Sequence, residues 1–504
     1  MPFEVAEIRE RAERLKSSIA LERYQTRAGL RQRSAFETIY REHRFLLAPE
    51  VLPAIQRELA EAEGDRRGRL QALFGWVAGQ QVEAQLAPLE DELRAWEAGA
   101  MVGLRDGDLP LRRVPAAIAR AQVRGERLAW EIARNRRVEE ASALQLDVLH
   151  REREAVRELG LGDYIEARER IGGLGLRALE RQAVEILTRT EEPYREMFLR
   201  EVSQRLGIEA RAASRSDAVW LLGGRWLAQP FALNPLLGRM RRGLEAIGLP
   251  LRPDGLRLDL DRRPLKEALS YCAAIRVPGD VVLVVSPIGG QADARGLLHE
   301  IGHALHFTFT SASLPWEERA LGDTSVTETF ALLFEGLTLD RGWCAGASGL
   351  TGETLEDYLS LARFLYLYRV RRQAAQFLYE MELAATDEPS QMAPRYSELL
   401  GRATGFAHDP QTYIEDVKRG FWVARQLRAA MLVSILRKAL HDRFGNEWFA
   451  ERPAGAFIGE LMSAGQRENA VQIAEQLGES SLGPGALVAD VERWFRPKPA
   501  GAGA

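Results

Sequence analysis

The sequence predicts a mainly α-helical protein with a small β-element set beside one histidine-bearing helix. Three features carry that reading. From the start to about residue 215 the chain is rich in Ala, Leu, Glu and Arg with apolar residues at helical spacing, as in IQRELAEAEGDRRGRLQALFGWVAGQQVEAQL. One short β-branched run, VVLVVSP (Val281–Pro287), is the clearest strand. Across the loop IGGQADAR, residues 297–306 then read LLHEIGHALH, which places three of the seven histidines within eight residues.

Residues 1–215 form a helical N-terminal lobe in this reading. Its breaks are glycine- and proline-bearing joints at 105–110 and at GGLG, Gly172–Gly175. No strand precedes GGLG and the full spacing of a dinucleotide-binding turn is absent, so it reads as a helix break. Residues 216–495 form a second region, where tryptophan, proline and glycine thicken before the strand. After the histidine motif come the connector LPWEERALGDTS, a helix from about Val326 to Leu339, and long helices at about 352–385 and 412–444. Residues 496–504 are expected to be a disordered tail.

The chain has 504 residues, 46% hydrophobic and 28% charged, ample for a large core or two packed lobes. Lys plus Arg (68) and Asp plus Glu (72) nearly cancel to a net charge of -4, and the basic residues are spread out. Neither nucleic acid nor an anionic membrane is expected as a partner. Cys272 and Cys344 lack metal-type spacing and fit a reducing compartment. With no apolar core behind a basic start and no window of ~18 uninterrupted apolar residues, the expectation is a cytoplasmic protein.

On a helix, His299 and His303 lie four apart and about 40° apart around the axis, so two imidazoles on one face can hold one metal ion. Glu300 sits about 80° from the midline of that pair. That is too far round to ligate easily but close enough to serve as general base toward a water at the metal. Gly302 leaves the surface between the histidines bare for the close approach of a strand or a substrate. The plainer alternative is a packed helix with hydrogen-bonded histidines. A hydrolytic centre needs a third ligand, and Glu328 follows His303 by 25 residues on the next helix. Glu335, seven residues further on, shares its face, so one carboxylate can ligate while the other orients a histidine. A capping box with Ser325 as N-cap is the alternative role for Glu328.

HEIGHALH with Glu328 and Glu335 at those distances resembles the thimet oligopeptidase and oligoendopeptidase F family of zinc peptidases. VVLVVSP resembles that group's edge strand, and LARFLYLYRVRRQAAQFLYEMELA resembles the long helix after its third-ligand helix, over roughly residues 265–495. The resemblance implies a two-lobed helical peptidase fold around a deep channel, with short oligopeptides as substrates. It implies one Zn²⁺ per chain held by His299, His303 and Glu328, with Glu300 as base and Glu335 supporting a ligand. It further implies Val281–Val285 pairing with the substrate backbone. Family members carry late tyrosines that hydrogen-bond the oxyanion, whereas GFAHDPQTYIEDVKRGFWVARQLRAAM puts Phe421, Arg425 and Arg428 at those places. His408 and Tyr413 remain as neutral donors. These four residues, His408, Tyr413, Arg425 and Arg428, are the expected substrate or oxyanion contacts, the arginines being either a carboxylate anchor or a solvated basic edge. Two other functions stay open: a carboxypeptidase of related helical fold, and a non-catalytic helical peptide-binding protein with a structural metal site.

Overall fold

The computed structural model describes residues 3–495 apart from 105–106, 252–253, 268 and 288–289. The expected tail at 496–504 and the first residues of the IGGQADAR loop therefore lie outside the described residues. The chain is mainly helical, as expected. Helix α1 (Val5–Arg27) and the 36-residue α2 (Gly64–Gly99) bury their apolar faces in a first core that Val156, Leu161 and Ala167 complete. One hairpin interrupts this half: β1 (Met101–Leu104) pairs antiparallel with β2 (Gly107–Pro110). Strands of four residues are too short to show a period of two, so composition alone reads them as a joint.

GGLG breaks the chain between helices as predicted. Helix α3 (Tyr164–Gly172) ends on Gly173 at φ 61°, and Gly175 at φ 67° precedes α4 (Leu176–Arg189). From here the chain joins a second, larger core. Ile165, Leu174, Leu179 and Ile186 pack with the motif helix and its neighbours, and residues 194–221 pack on Leu361–Tyr368 and Phe406. We therefore propose that the lobes divide near residue 165, where the packing changes, instead of near 215, where the composition does.

Three strands form the sheet beside the motif: β3 (Leu256–Asp259), β4 (Tyr271–Arg276) and β5 (Asp280–Val284), in the order β3-β5-β4. β5 runs parallel to β3 and antiparallel to β4. This corrects the expectation that Val281–Val285 is an edge that pairs with substrate. β5 is the central strand, and Val281, Val282, Leu283 and Val284 are all at most 1% exposed. An unbroken β-branched run marks a strand covered on both faces, whose main chain is already paired.

Helix α5 (Gln291–Phe309) carries the motif. Leu297, Leu298, Ile301, Ala304 and Leu305 form its fully buried stripe, each of the larger side chains contributing about 1.5–3 kcal/mol on burial. His299 and His303 lie on the other, half-buried side. Helix α6 (Thr324–Glu335) follows, capped by Asp323, whose carboxylate accepts the Ser325 N–H at 2.9 Å. The N-cap is thus Asp323 instead of Ser325, and Glu328 is free to face α5. A single 3₁₀ turn extends α6 to Leu339. Helix α7 (Gly352–Ala385) falls where predicted. The last long helix does not start at 412: α8 spans Trp422–Phe444, preceded by 3₁₀ turns, because Gly420 (φ 66°) and Phe421 (φ 55°) turn the chain left-handed.

α5 and α6 touch backbone to backbone at Gly302. A Cβ there would lie 2.5 Å from the Phe330 carbonyl oxygen and 2.6 Å from Ala331 Cα. The bare surface between the histidines is filled by a helix, not by a strand or a substrate. Gly302→Ala is expected to destabilise the fold by about 1–3 kcal/mol through overpacking. Gly296→Ala, on the same helix with nothing within 4 Å of its Cβ, is expected to add about 0.5–1 kcal/mol. Urea unfolding midpoints of the two variants check both signs, and a Gly302→Ala protein as stable as wild type would refute the close contact.

Candidate metal centre

α5 and α6 bring the two histidines and Glu328 together. His299 Nε2 lies 3.7 Å from one oxygen of Glu328 and His303 Nε2 lies 3.6 Å from the other. The donor atoms of all three residues fall within 4.8 Å of one another. These separations are too long for hydrogen bonds. They match ligands around an ion, since donors about 2.1 Å from a tetrahedral centre stand about 3.4 Å apart.

The remaining ring nitrogens are tied down. His299 Nδ1–H donates to Glu335 at 2.9 Å, and His303 Nδ1 shares a hydrogen bond of 3.0 Å with Thr327 Oγ1. Those partners hold both rings in the orientation that turns each Nε2 toward Glu328. Glu335 is itself held by the Arg369 guanidinium, with Arg295 Nε at 3.6 Å. Burial alone would raise its pKa, but Arg369 and His299 hold Glu335 well below the usual carboxylate range. The donor set and its support fit a divalent ion of the zinc type.

In the metal-free chain, burial works against a charged His299, yet the hydrogen bond and charge of Glu335, with Glu328 and Glu300 behind it, lift it to about 9. Burial and the neighbouring His299 keep His303 well below its ordinary value, hence neutral. Burial also raises Glu328, with His299 opposing. Glu300 is pushed up to about 7 by burial, against His299 and with Glu328. The backbone N–H of Cys272 on β4 faces its carboxylate and opposes that rise, so the expected base lies between the motif helix and the sheet.

The third motif histidine, His306, belongs to the core. It is fully buried, donates from Nε2 to the Gly465 carbonyl at 3.0 Å and packs on Phe330, and burial holds its pKa at about 4.

The 408–428 residues are engaged elsewhere. His408 is buried, with Nδ1–H donating to the Phe406 carbonyl at 2.9 Å. Tyr413 packs in a separate cluster with Leu149, Tyr379 and Tyr396. Arg425 donates to the Gly420 carbonyl at 2.9 Å and lies over the Trp422 ring. Arg428 is buried and donates to Asp323 at 2.8 Å, to the Leu174 carbonyl at 2.9 Å and to Ser325 Oγ at 3.3 Å. It is neither a solvated edge nor placed to anchor a substrate. It pins the N-terminal end of the helix that carries Glu328.

Sequence reasoning missed Arg369, Arg295 and Thr327. Thr327 adjoins Glu328, but Arg369 sits among other arginines on a long helix that looks like a solvated face, and Arg295 stands alone a turn before His299.

No protein-family model matches the chain, and no curated protein matches it by sequence. Solved structures do share its fold. PZ peptidase A, solved with an inhibitor, is 15% identical with a TM-score of 0.66, over 95% of this chain and 89% of that one. A putative oligoendopeptidase F is 15% identical with a TM-score of 0.64, over 98% and 97%. A Pyrococcus furiosus carboxypeptidase is 12% identical with a TM-score of 0.61, over 98% and 100%. At these identities the likeness establishes the fold alone: the chain has the helical architecture that these solved structures share.

Glu335→Ala is expected to weaken zinc affinity about 10- to 100-fold without abolishing it, read by competition with a chromogenic chelator. Unchanged affinity would make Glu335 an ordinary helix residue. Arg428→Met leaves Asp323 buried and unpaired, so a loss of about 3–5 kcal/mol in stability is expected. A stable Arg428→Met protein with a raised KM would return Arg428 to the substrate site.

Proposed function

We propose that the protein is a zinc-dependent peptidase acting on short oligopeptides. The observation that carries this reading is the convergence of His299, His303 and Glu328, each histidine locked by a partner, with the Glu300 carboxylate held beside them against a strand. A zinc ion held there supplies Lewis acidity to a water molecule and to the substrate carbonyl. Glu300 accepts the proton of the attacking water and passes it to the leaving amine nitrogen.

The substrate backbone pairs along β4 in this proposal. The Cys272 N–H points at Glu300 and so away from β5. By strand alternation, the main-chain groups of Cys272 and Ala274 face that same outer edge, where an extended peptide can add as a strand.

The fold is shared by proteins called oligoendopeptidase and carboxypeptidase, so the position of the cut is decided by product mapping. A purely structural metal site has no use for a base at Glu300, which weighs against a non-catalytic peptide binder. No helix among the described residues is long and apolar enough to cross a membrane. Two free cysteines, Cys272 and Cys344, fit the reducing cytoplasm that completes the proposal.

Glu300→Gln is expected to retain about one zinc per chain and to lose about 10²- to 10⁴-fold in kcat, because the amide cannot take the proton. Mass spectrometry of a mixed peptide library, with zinc content measured alongside, tests this. Zinc-loaded wild type that leaves every peptide intact would refute the peptidase reading, and a variant without zinc would mean that the ligands are misassigned.

A further inference from the structure

A cleft of about 1230 Å³ opens between the two halves of the chain. One wall comes from residues 109–130, and the other from 233–237, 260–267 and the segment Val285–Pro287 that follows β5. None of the metal ligands lines it, yet it adjoins the centre. Ser286 in its wall is joined to Ser270 by a hydrogen bond of 3.0 Å from its backbone N–H, and Ser270 lies two residues before Cys272, which contacts Glu300. At the rise of an extended strand the cleft begins about 7 Å along β4 from the base.

Its charge is unlike that of the whole chain. Arg113, Arg120, Arg262, Arg263 and Lys266 line it against Glu126, Asp261 and Glu267, five cations to three carboxylates, in a protein of net charge -4. Arg263 and Lys266 are committed to Asp259. The guanidinium groups of Arg120 and Arg262 are exposed, and nothing among the described residues accepts from them. Val123 and Leu260, 66% and 51% exposed, add apolar surface to the same cleft. Cations without partners beside exposed apolar side chains fit a ligand that carries both an apolar body and an anion.

We propose that this cleft binds the C-terminal side of the substrate peptide and holds its carboxylate through Arg120 and Arg262. The inference rests on the peptidase reading and narrows it. Antiparallel addition to β4, the more stable and more frequent arrangement, runs the peptide from the Arg276 end to the Tyr271 end. Its C-terminal residues then leave the base in the direction of the cleft. The enzyme thereby selects peptides whose free carboxylate lies a few residues beyond the cut bond. This is the cationic anchor that Arg425 and Arg428 do not provide.

The test uses zinc-loaded wild type and the double variant Arg120→Ser/Arg262→Ser. The substrates are one peptide as free acid, as C-terminal amide, and as amide ending in glutamate. For wild type, amidation is expected to raise KM about tenfold with kcat within about twofold. For the double variant, the free acid is expected to show the raised KM and amidation to change nothing further. The glutamate-ended amide separates a main-chain carboxylate from a side-chain one as the anion held. Equal KM for free acid and amide in wild type overturns the proposal, as does a double variant that still discriminates between them. Fluorescence anisotropy of the same labelled peptides on zinc-loaded Glu300→Gln reads the preference without turnover. A site that discriminates in binding while wild type cuts nothing would fail the peptidase reading and leave the anion site standing.

Discussion

The backbone contact between α5 and α6 at Gly302 is the constraint on which the rest of the centre depends. The donors come from two helices, and ligand distances tolerate deviations of only about 0.2 Å, so their crossing has to be fixed by something stiffer than side-chain packing. His299 and His303 flank Gly302, and Glu328 is two residues before the Phe330 carbonyl that Gly302 meets. α6 is then held at both ends. At its start, Asp323 accepts from Arg428 and from the Ala470 N–H at 3.1 Å, and at its end Glu335 is gripped by Arg369 and His299. A helix fixed at both ends and in the middle cannot rotate Glu328 out of place.

These three anchor points also distribute charge in a telling way. Asp323, Glu328 and Glu335 are all buried or nearly so on one short element, and an unpaired buried carboxylate is costly. Arg428 neutralises the first, and Arg369 with Arg295 the third. Among the described residues no guanidinium lies within bonding distance of Glu328, and the two imidazoles face it. Burial accordingly drives it toward its neutral form. A divalent cation between it and the histidines removes that imbalance. Glu328 thus stands without a guanidinium of its own at the spot where the two imidazoles converge.

Much of this centre is legible in the sequence because helix geometry is local. A spacing of four from His299 to His303, and of seven from Glu328 to Glu335, settles which side chains share a face before any tertiary contact is known. Only the crossing of the two helices has to be added, and Gly302 marks it. The sheet is less legible. VVLVVSP announces a strand, but whether a strand is central or edge depends on partners such as Tyr271–Arg276, whose six residues carry no strong alternation. The proposed division of the lobes differs from the compositional one for a related reason: composition changes near 215, while the packing of Ile165 and Leu174 with the motif helix is set by contacts across the chain.

The late arginines show where local reading stops. Spacing of three places Arg425 and Arg428 on neighbouring positions of α8, but it says nothing about what that face meets, and the partner of Arg428 is Asp323, 105 residues earlier. An arginine on an amphipathic helix looks the same in sequence whether it closes a buried ion pair or waits for a ligand. The difference is whether a protein carboxylate reaches it first. Arg120 and Arg262 stand on opposite walls of the cleft, in segments far apart in sequence, so no motif could join them. A candidate metal centre built from helix periodicity can therefore be read from one chain. The proposed substrate surface becomes visible only when the fold brings distant segments together.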